Sequence, residues 1–260
     1  MRIQVLVATM KQQDHSLLEK MNIQTDAIIG NQCDRDEVER FNYRGHEIAW
    51  YSFNERGVGL NRNNALMRAD ADIGLFADDD MVYVDSYAEI VNKAFEELPD
   101  ADIIVFDLTY PHGGRAPITK VQRLNKRGCM RFGAARLGVR LDRIHLNGVN
   151  FNLCFGGGAK YCNGEDTLFL NECLDKKLHI YAYPAVIAHL QDERTSTWFQ
   201  GYNDEFFFDK GVLYYMLDRK FAVVLAAYHC LKHKKLYCEY GMVNAYRQMI
   251  KGIKFCKRRL

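Results

Sequence analysis

Residues 73–81 read IGLFADDDM. Five apolar residues end abruptly in Asp78, Asp79 and Asp80. A short apolar run bounded by polar residues reads as a buried strand. Folding alone gives no reason to set three carboxylates side by side, because adjacent carboxylates repel unless a cation or a proton separates them. In open α/β sheets, ligands bind beyond the carboxyl ends of the strands, which is where this triplet would sit. A hard divalent cation such as Mg²⁺ or Mn²⁺ takes a few carboxylates and keeps positions for substrate phosphates. The alternative is a solvated acidic turn leading into the next helix, with Asp85 as its N-cap.

The surrounding sequence repeats the strand signal. RIQVLVA, DAIIG, HEIAWYSF, ADIIVFDL and LHIYAYPAVIAHL (interrupted by Pro184) read as strands. DHSLLEKM, LNRNNALMRA, SYAEIVNKAFEEL and DTLFLNECLDKK read as helices, the third stopped by Pro99. Strands alternating with helices predict an α/β domain whose mixed, mostly parallel sheet is flanked by helices. From Thr109 to Gly148 no period is clear, and long loops with some strand or helix are expected. After about Phe206 the chain turns aromatic, then basic, and reads as helical.

At 260 residues the chain can hold one large domain or a domain with an appendage. The expected division is a catalytic body over 1–215 and a basic helical extension over 216–260. Between Lys232 and Leu260 there are nine Lys/Arg and one Glu, so the last 29 residues carry about +8 and the preceding 231 about −6. None of the eight cysteines forms a C-x-x-C pair, which argues against a zinc site. No signal-peptide pattern opens the chain, and FAVVLAAYHCL is too short to span a bilayer. A cytoplasmic protein with reduced thiols is expected.

Three further stretches bear on the triplet. In NGEDTLFL, Glu165 and Asp166 open a helix, where carboxylates suit the dipole and could also serve as a general base. In FGGGAKY, successive glycines including Gly157 and Gly158 either let backbone approach a ligand closely or form a plain loop. In AHLQDERTSTWF, His189 ends a strand-like run, as a metal ligand or a surface residue. Arg62, at the start of the helix after GVG, faces a base or diphosphate or is a surface cation. GVG lacks the third glycine of a dinucleotide fingerprint, so NAD is not expected.

Taken in order, the strand–helix–strand start, ERGVGLNRNNAL, LFADDDM, FGGGAKYCNGED and STWF resemble the family 2 glycosyltransferases of GT-A fold, bacterial capsular or surface-polysaccharide members above all. The resemblance covers roughly residues 1 to 215. It implies an inverting transfer from a nucleotide-diphosphate sugar, most simply a UDP-sugar, to a saccharide or lipid-linked saccharide acceptor. DDD stands where the family has its D-x-D motif. Asp80 would be the direct ligand of Mn²⁺ or Mg²⁺, Asp78 would lie nearer the nucleotide ribose and share the metal, and Asp79 would assist. Glu165 and Asp166 match the family's E-D pair, with Asp166 as the base that deprotonates the acceptor. His189 lies where some members place a third metal ligand. Thr9, Asn31 and Gln32 follow the first two strands and would contact the nucleotide; Gln32 stands where many members carry an Asp that reads uracil. Trp198 would stack on a sugar from a mobile loop, unless it simply packs in the core.

The basic tail mixes Lys/Arg with Met, Ile, Phe and Tyr. Peripheral contact with an anionic membrane is expected, rather than a solvated hairpin or a nucleic-acid patch, since no nucleic-acid motif accompanies the charge. Two other functions compete with sugar transfer. One is a metal-dependent nucleotidyltransferase, although ATMKQQDHS after strand one lacks a glycine-rich phosphate loop. The other is a non-catalytic membrane-surface binding module.

Overall fold

A computed structural model of the chain describes residues 1–259 apart from 112–115, 192–200, 236 and 238. The strands are β1 (Ile3–Met10), β2 (Asp26–Gln32), β3 (Glu37–Tyr43), β4 (His46–Phe53), β5 (Ile73–Asp78), β6 (Met81–Tyr83), β7 (Ile103–Thr109), β8 (Gln122–Arg123), β9 (Leu137–Arg140) and β10 (Ile180–Leu190). The helices are α1 (Leu17–Lys20), α2 (Val58–Arg68), α3 (Tyr87–Glu97), α4 (Lys126–Cys129), α5 (Leu141–Leu146), α6 (Glu165–Asp175), α7 (Asp204–Leu217), α8 (Ala222–Lys232) and α9 (Met242–Arg259).

The strands form one sheet in the order β3-β4-β2-β1-β5-β9-β7-β10-β6, with β8 paired to β10. β4, β2, β1 and β5 are mutually parallel, β9 runs antiparallel between β5 and β7, and β10 is parallel to β7. Six strands therefore point the same way, and their carboxyl ends share one edge. Alternate side chains of β1 serve opposite faces, as strand geometry requires. Val5 and Val7 pack with Leu17, Leu18, Val91 and Phe95 on one face. Leu6 packs with Leu66, Leu141, Ile144 and Phe169 on the other. Covering on both faces explains why the central strands are continuous apolar runs.

β3 and β4 form a hairpin through Arg44 and Gly45, both at positive φ, as a two-residue primed turn demands. β10 is a single strand whose pairing with β7 shifts register between Ala182 and Val186. Pro184 lies in that shift, where its missing N–H costs no ladder bond.

Helices α7, α8 and α9 form a third cluster around Phe207, Val212, Ala226, Met249 and Ile253. Residues 215 and 216 both lie inside α7, so the helical unit begins with Asp204. α7 and α9 touch at glycine: a Cβ on Gly252 would lie 2.1 Å from the Phe208 carbonyl oxygen, and one on Gly211 2.0 Å from that of Met249. Both positions tolerate only glycine, which offsets its cost of about 1 kcal/mol in a helix. The cysteines among the described residues are free thiols.

His229 of α8 is half-buried between two tyrosines, with Tyr214 Oη at 2.6 Å from Nδ1 and Tyr237 Oη on Nε2. Burial first, then Lys210, His233 and Lys232, pushes the imidazole down from 6.5 to about 3. A depressed histidine binds its proton more readily when unfolded, so its contribution is intact above pH 6.5 and erodes as pH falls toward 3. Urea unfolding should show a loss on the order of 2 kcal/mol between pH 6.5 and pH 5 from this group. His229→Gln should flatten that slope. An unchanged slope in the variant would show that the acid sensitivity arises elsewhere.

Candidate functional site

Asp78 is the last residue of β5, opposite Ala8 of β1, and Asp79 and Asp80 turn the chain into β6. All three are half-buried. Thr9, at the end of β1, donates its hydroxyl to Asp79 Oδ2 at 2.6 Å and accepts from Gln12 Nε2 at 2.9 Å. Asp79 is thus turned toward β1.

Arg62 projects from the second turn of α2 into the centre of the edge. Its Nη2 donates to Asp78 Oδ1 at 2.8 Å, and its Nη1 donates to Asp166 Oδ1 at 2.7 Å and to Glu165 Oε1 at 3.3 Å. The side chain is only 5% exposed, against 12% for Glu165, 25% for Asp166 and 40% for Asp78. The guanidinium also lies 5.4 Å from the centre of the Phe151 ring. Burial alone would push Arg62 down, but Asp78, Asp166 and Glu165 more than reverse that, and its pKa rises above the usual arginine value. Burial pushes Glu165 up, Asp166 adds to the rise and Arg62 opposes it, leaving Glu165 at about 7. Two neighbouring carboxyls are thereby placed in unlike settings, Glu165 enclosed and Asp166 toward the open side.

The local sequence explains this placement. Gly57 precedes α2 at φ +123, a conformation an L side chain rarely adopts. Asn61 donates to the carbonyls of Thr9 and Gly30 at 3.2 and 2.8 Å, tying α2 to the ends of β1 and β2. Asn63 exchanges hydrogen bonds with the Phe151 backbone at 2.9 and 2.7 Å. Neither asparagine was singled out from sequence. The available signal was composition: three asparagines in one turn and a half of LNRNNAL are poor helix formers and need another reason to be there.

The glycine loop packs against protein. Val58 N donates to Gly157 O at 2.9 Å. A Cβ on Gly158 would sit 3.1 Å from Gly57 N, and one on Gly156 2.8 Å from the Glu165 carboxyl carbon. The glycines therefore let the loop close over α2 and Glu165. The same loop, with Lys160, Asn203, Glu205 and Phe206, lines a cavity of about 190 Å³.

The remaining expected residues lie apart from this network. Gln32 is spent on Gly57: its Nε2 donates to the carbonyl at 3.0 Å and its Oε1 accepts from the amide at 3.2 Å. Asn31 is fully buried and bonded to the Gln12 backbone and to Ser52. Both amides are engaged with neighbouring protein groups in this arrangement. His189 is exposed, opposite Val82 of β6, with its Nδ1 on the Thr109 hydroxyl. The next turn of chain joins the triplet, since Gln191 N donates to Asp80 O at 2.8 Å. Among the described residues no three His, Cys, Asp or Glu side chains converge on one ion position. Asp78, Asp80 and His189 thus share an edge without forming a ready three-ligand cage. Trp198 lies outside the described residues.

The donor chemistry still suits a hard cation. Asp78, Glu165 and Asp166 pair with Arg62, Asp79 and Asp80 follow Asp78 directly in the chain, and Mg²⁺ or Mn²⁺ commonly uses one or two carboxylates plus substrate phosphates.

No family model matches the sequence, and no curated protein matches it. Solved structures do match the fold. Residues 1–349 of S. aureus TarS in complex with UDP-GlcNAc match with a TM-score of 0.66 over 97% of this chain and 82% of that one, at 14% identity. The same portion in complex with UDP gives 0.61 over 92% and 74%, also at 14% identity. S. aureus TarS without that truncation gives 0.59 over 90% of this chain and 43% of that one, at 13% identity. At such identity the likeness shows the fold: a GT-A-type mixed sheet between helices, with the Arg62 cluster at the carboxyl edge of its strands.

Proposed function

We propose that the protein is an inverting glycosyltransferase that uses a nucleotide-diphosphate sugar, most simply a UDP-sugar, and acts on a saccharide or lipid-linked saccharide in surface polysaccharide synthesis. The observation that carries this reading is the Arg62 bridge. It binds a strand-end aspartate, Asp78, to the two acids that open α6, Glu165 and Asp166. A donor-binding edge and a candidate base are thereby fixed to each other. The UDP-GlcNAc held by a protein of the same fold supports the donor class.

In this reading the donor lies across the ends of β1, β2 and β5. Arg62 fixes Oδ1 of Asp166, and the Asp166 carboxylate accepts the proton of the acceptor hydroxyl. The hydroxyl oxygen attacks the anomeric carbon from the face opposite the diphosphate. One C–O bond forms while the bond to the leaving oxygen breaks, and the diphosphate departs with that electron pair, inverting the configuration. Three carboxylates on one guanidinium, with Asp79 and Asp80 next in the chain, would repel a diphosphate. Asp78 and Asp80 would hold Mg²⁺ or Mn²⁺ there, and that ion would supply charge neutralisation at the leaving group.

The test is incubation with Mn²⁺ and a panel of nucleotide sugars, measuring nucleoside diphosphate release. Release from one donor, cut at least ~100-fold in Asp80→Ala, is expected. Pyrophosphate release from nucleoside triphosphates would instead indicate nucleotidyl transfer. Silence across all donors, with saccharide acceptors present, would indicate a binding module without transfer chemistry.

A further inference from the structure

From Arg219 to Lys235 the chain reads RKFAVVLAAYHCLKHKK, with five Lys/Arg and no Asp or Glu. The cations stand at both ends and the middle is apolar. α8 occupies that middle, and burial divides it into two faces. Ala222, Ala226 and Cys230 are buried in the helical cluster with α7 and α9. Phe221, Val224, Tyr228 and Leu231 recur at intervals of three and four residues, which places them on one stripe. They are 59, 60, 45 and 64% exposed, and Val223 beside them is 46% exposed. Single exposed apolar residues are ordinary, but a whole helical stripe of large ones marks an interaction surface.

Charge surrounds this stripe. Arg219, Lys220, Lys232, Lys234 and Lys235 are all exposed. Arg127 of α4 donates to the Tyr228 hydroxyl at 3.2 Å, and its guanidinium stands 5.6 Å from the ring centre. The Lys232 ammonium is 5.9 Å from the same ring. Asp218, the acid nearest in sequence, is turned to the backbone amides of Lys220 and Phe221.

We propose that the outer face of α8 docks on an anionic lipid bilayer, with Phe221, Val224, Tyr228 and Leu231 entering the headgroup boundary and the flanking Lys/Arg contacting lipid phosphates. An apolar stripe between cations is the pattern of a helix lying in a membrane interface. No helix among the described residues is long and apolar enough to cross a membrane. A second copy of the chain fits poorly. Because both ends of α8 are basic, pairing it with itself sets like charges together in either orientation. A phosphate-only ligand would leave the apolar stripe without a role. The surface also differs from the tail expected from sequence: α9 spends its apolar residues Ala245, Met249 and Ile253 on the helical cluster, and removing residues 232–260 would take away the core of that unit. The inference does not depend on transfer chemistry, since vesicle binding is measured without donor.

The experiment is sedimentation of the full chain with vesicles of phosphatidylcholine alone and of phosphatidylcholine mixed with phosphatidylglycerol. Binding at least ~10-fold tighter to the anionic vesicles, weakened by salt, is expected. The double variant Val224→Glu, Leu231→Glu should lose at least ~10-fold of that binding with unchanged circular dichroism and unchanged nucleoside diphosphate release on a soluble acceptor. The triple variant Lys232→Gln, Lys234→Gln, Lys235→Gln should lose the preference for anionic vesicles and most of the salt dependence. Equal or absent binding of the unaltered chain to both vesicle types would overturn the proposal, as would undiminished binding by the Glu variant. So would a dimer in sedimentation velocity that the Glu variant dissociates while vesicles bind neither form.

Discussion

Asp166→Asn should lower turnover about a thousandfold, within the 10²–10⁴ that a positioned general base contributes, while the Kd for the donor changes less than about threefold. The substitution is nearly isosteric. The amide oxygen can still accept from Arg62 Nη1, which lies 2.7 Å from Asp166 Oδ1, so α6 should keep its place. What is lost is the capacity to take a proton from the acceptor. Glu165 is poorly placed to substitute: it is 12% exposed, covered by Gly156, and pushed up to about 7 by burial. The measurement is kcat at saturating acceptor, with donor affinity taken separately by calorimetry. Glu165→Gln is the control, and it should cost far less because its carboxyl faces the glycine loop. Near-normal kcat in Asp166→Asn would remove Asp166 from the role of base.

The parts of this fold that could be read in the sequence are those buried on both faces. β1, β2, β5 and β7 are short apolar runs because helices cover them on each side, and that pattern needs no long-range information. β3 was missed for the opposite reason. EVERFNY is an edge strand whose side chains alternate between exposed and half-buried, so it carries charges where an apolar run was sought. β9 is only four residues long and becomes a strand because β5 and β7 leave a slot between them. Nothing within LGVR specifies that.

The candidate site divides along similar lines. The carboxylates stood out because local folding does not call for them. Their pairing through Arg62 did not, because they lie 16, 103 and 104 residues from it and only the fold brings them together. Gln32 shows what position alone leaves out. Its place after β2 suggests a base contact, and its amide also exchanges hydrogen bonds with Gly57, a backbone partner that no side-chain pattern announces.

Arg62→Met should cost both stability and turnover, and the two losses should separate. Removing one partner of a buried ion pair typically costs about 3–5 kcal/mol, because the remaining charge is left without compensation. Here the cost is discounted, since Asp78 is 40% and Asp166 25% exposed and both can recover hydration. A loss on the order of 2–4 kcal/mol is expected, which for a chain of this size lowers Tm by roughly 5–15 °C. Arg62→Lys should recover little, because Nη1 serves Glu165 and Asp166 while Nη2 serves Asp78, and a single ammonium cannot reproduce that fork. The decisive measurement is the double variant with Glu165→Gln. Neutralising the most enclosed of the three carboxyls should return about half of the lost stability, a coupling that a double-mutant cycle reads directly. Turnover should stay at least ~100-fold down, because Asp78 and Asp166 would still lack the group that holds them in register. If Arg62→Met unfolds at the same temperature as the unaltered chain and turns over at a similar rate, the bridge is an incidental ion pair and cannot be what joins the donor edge to the base.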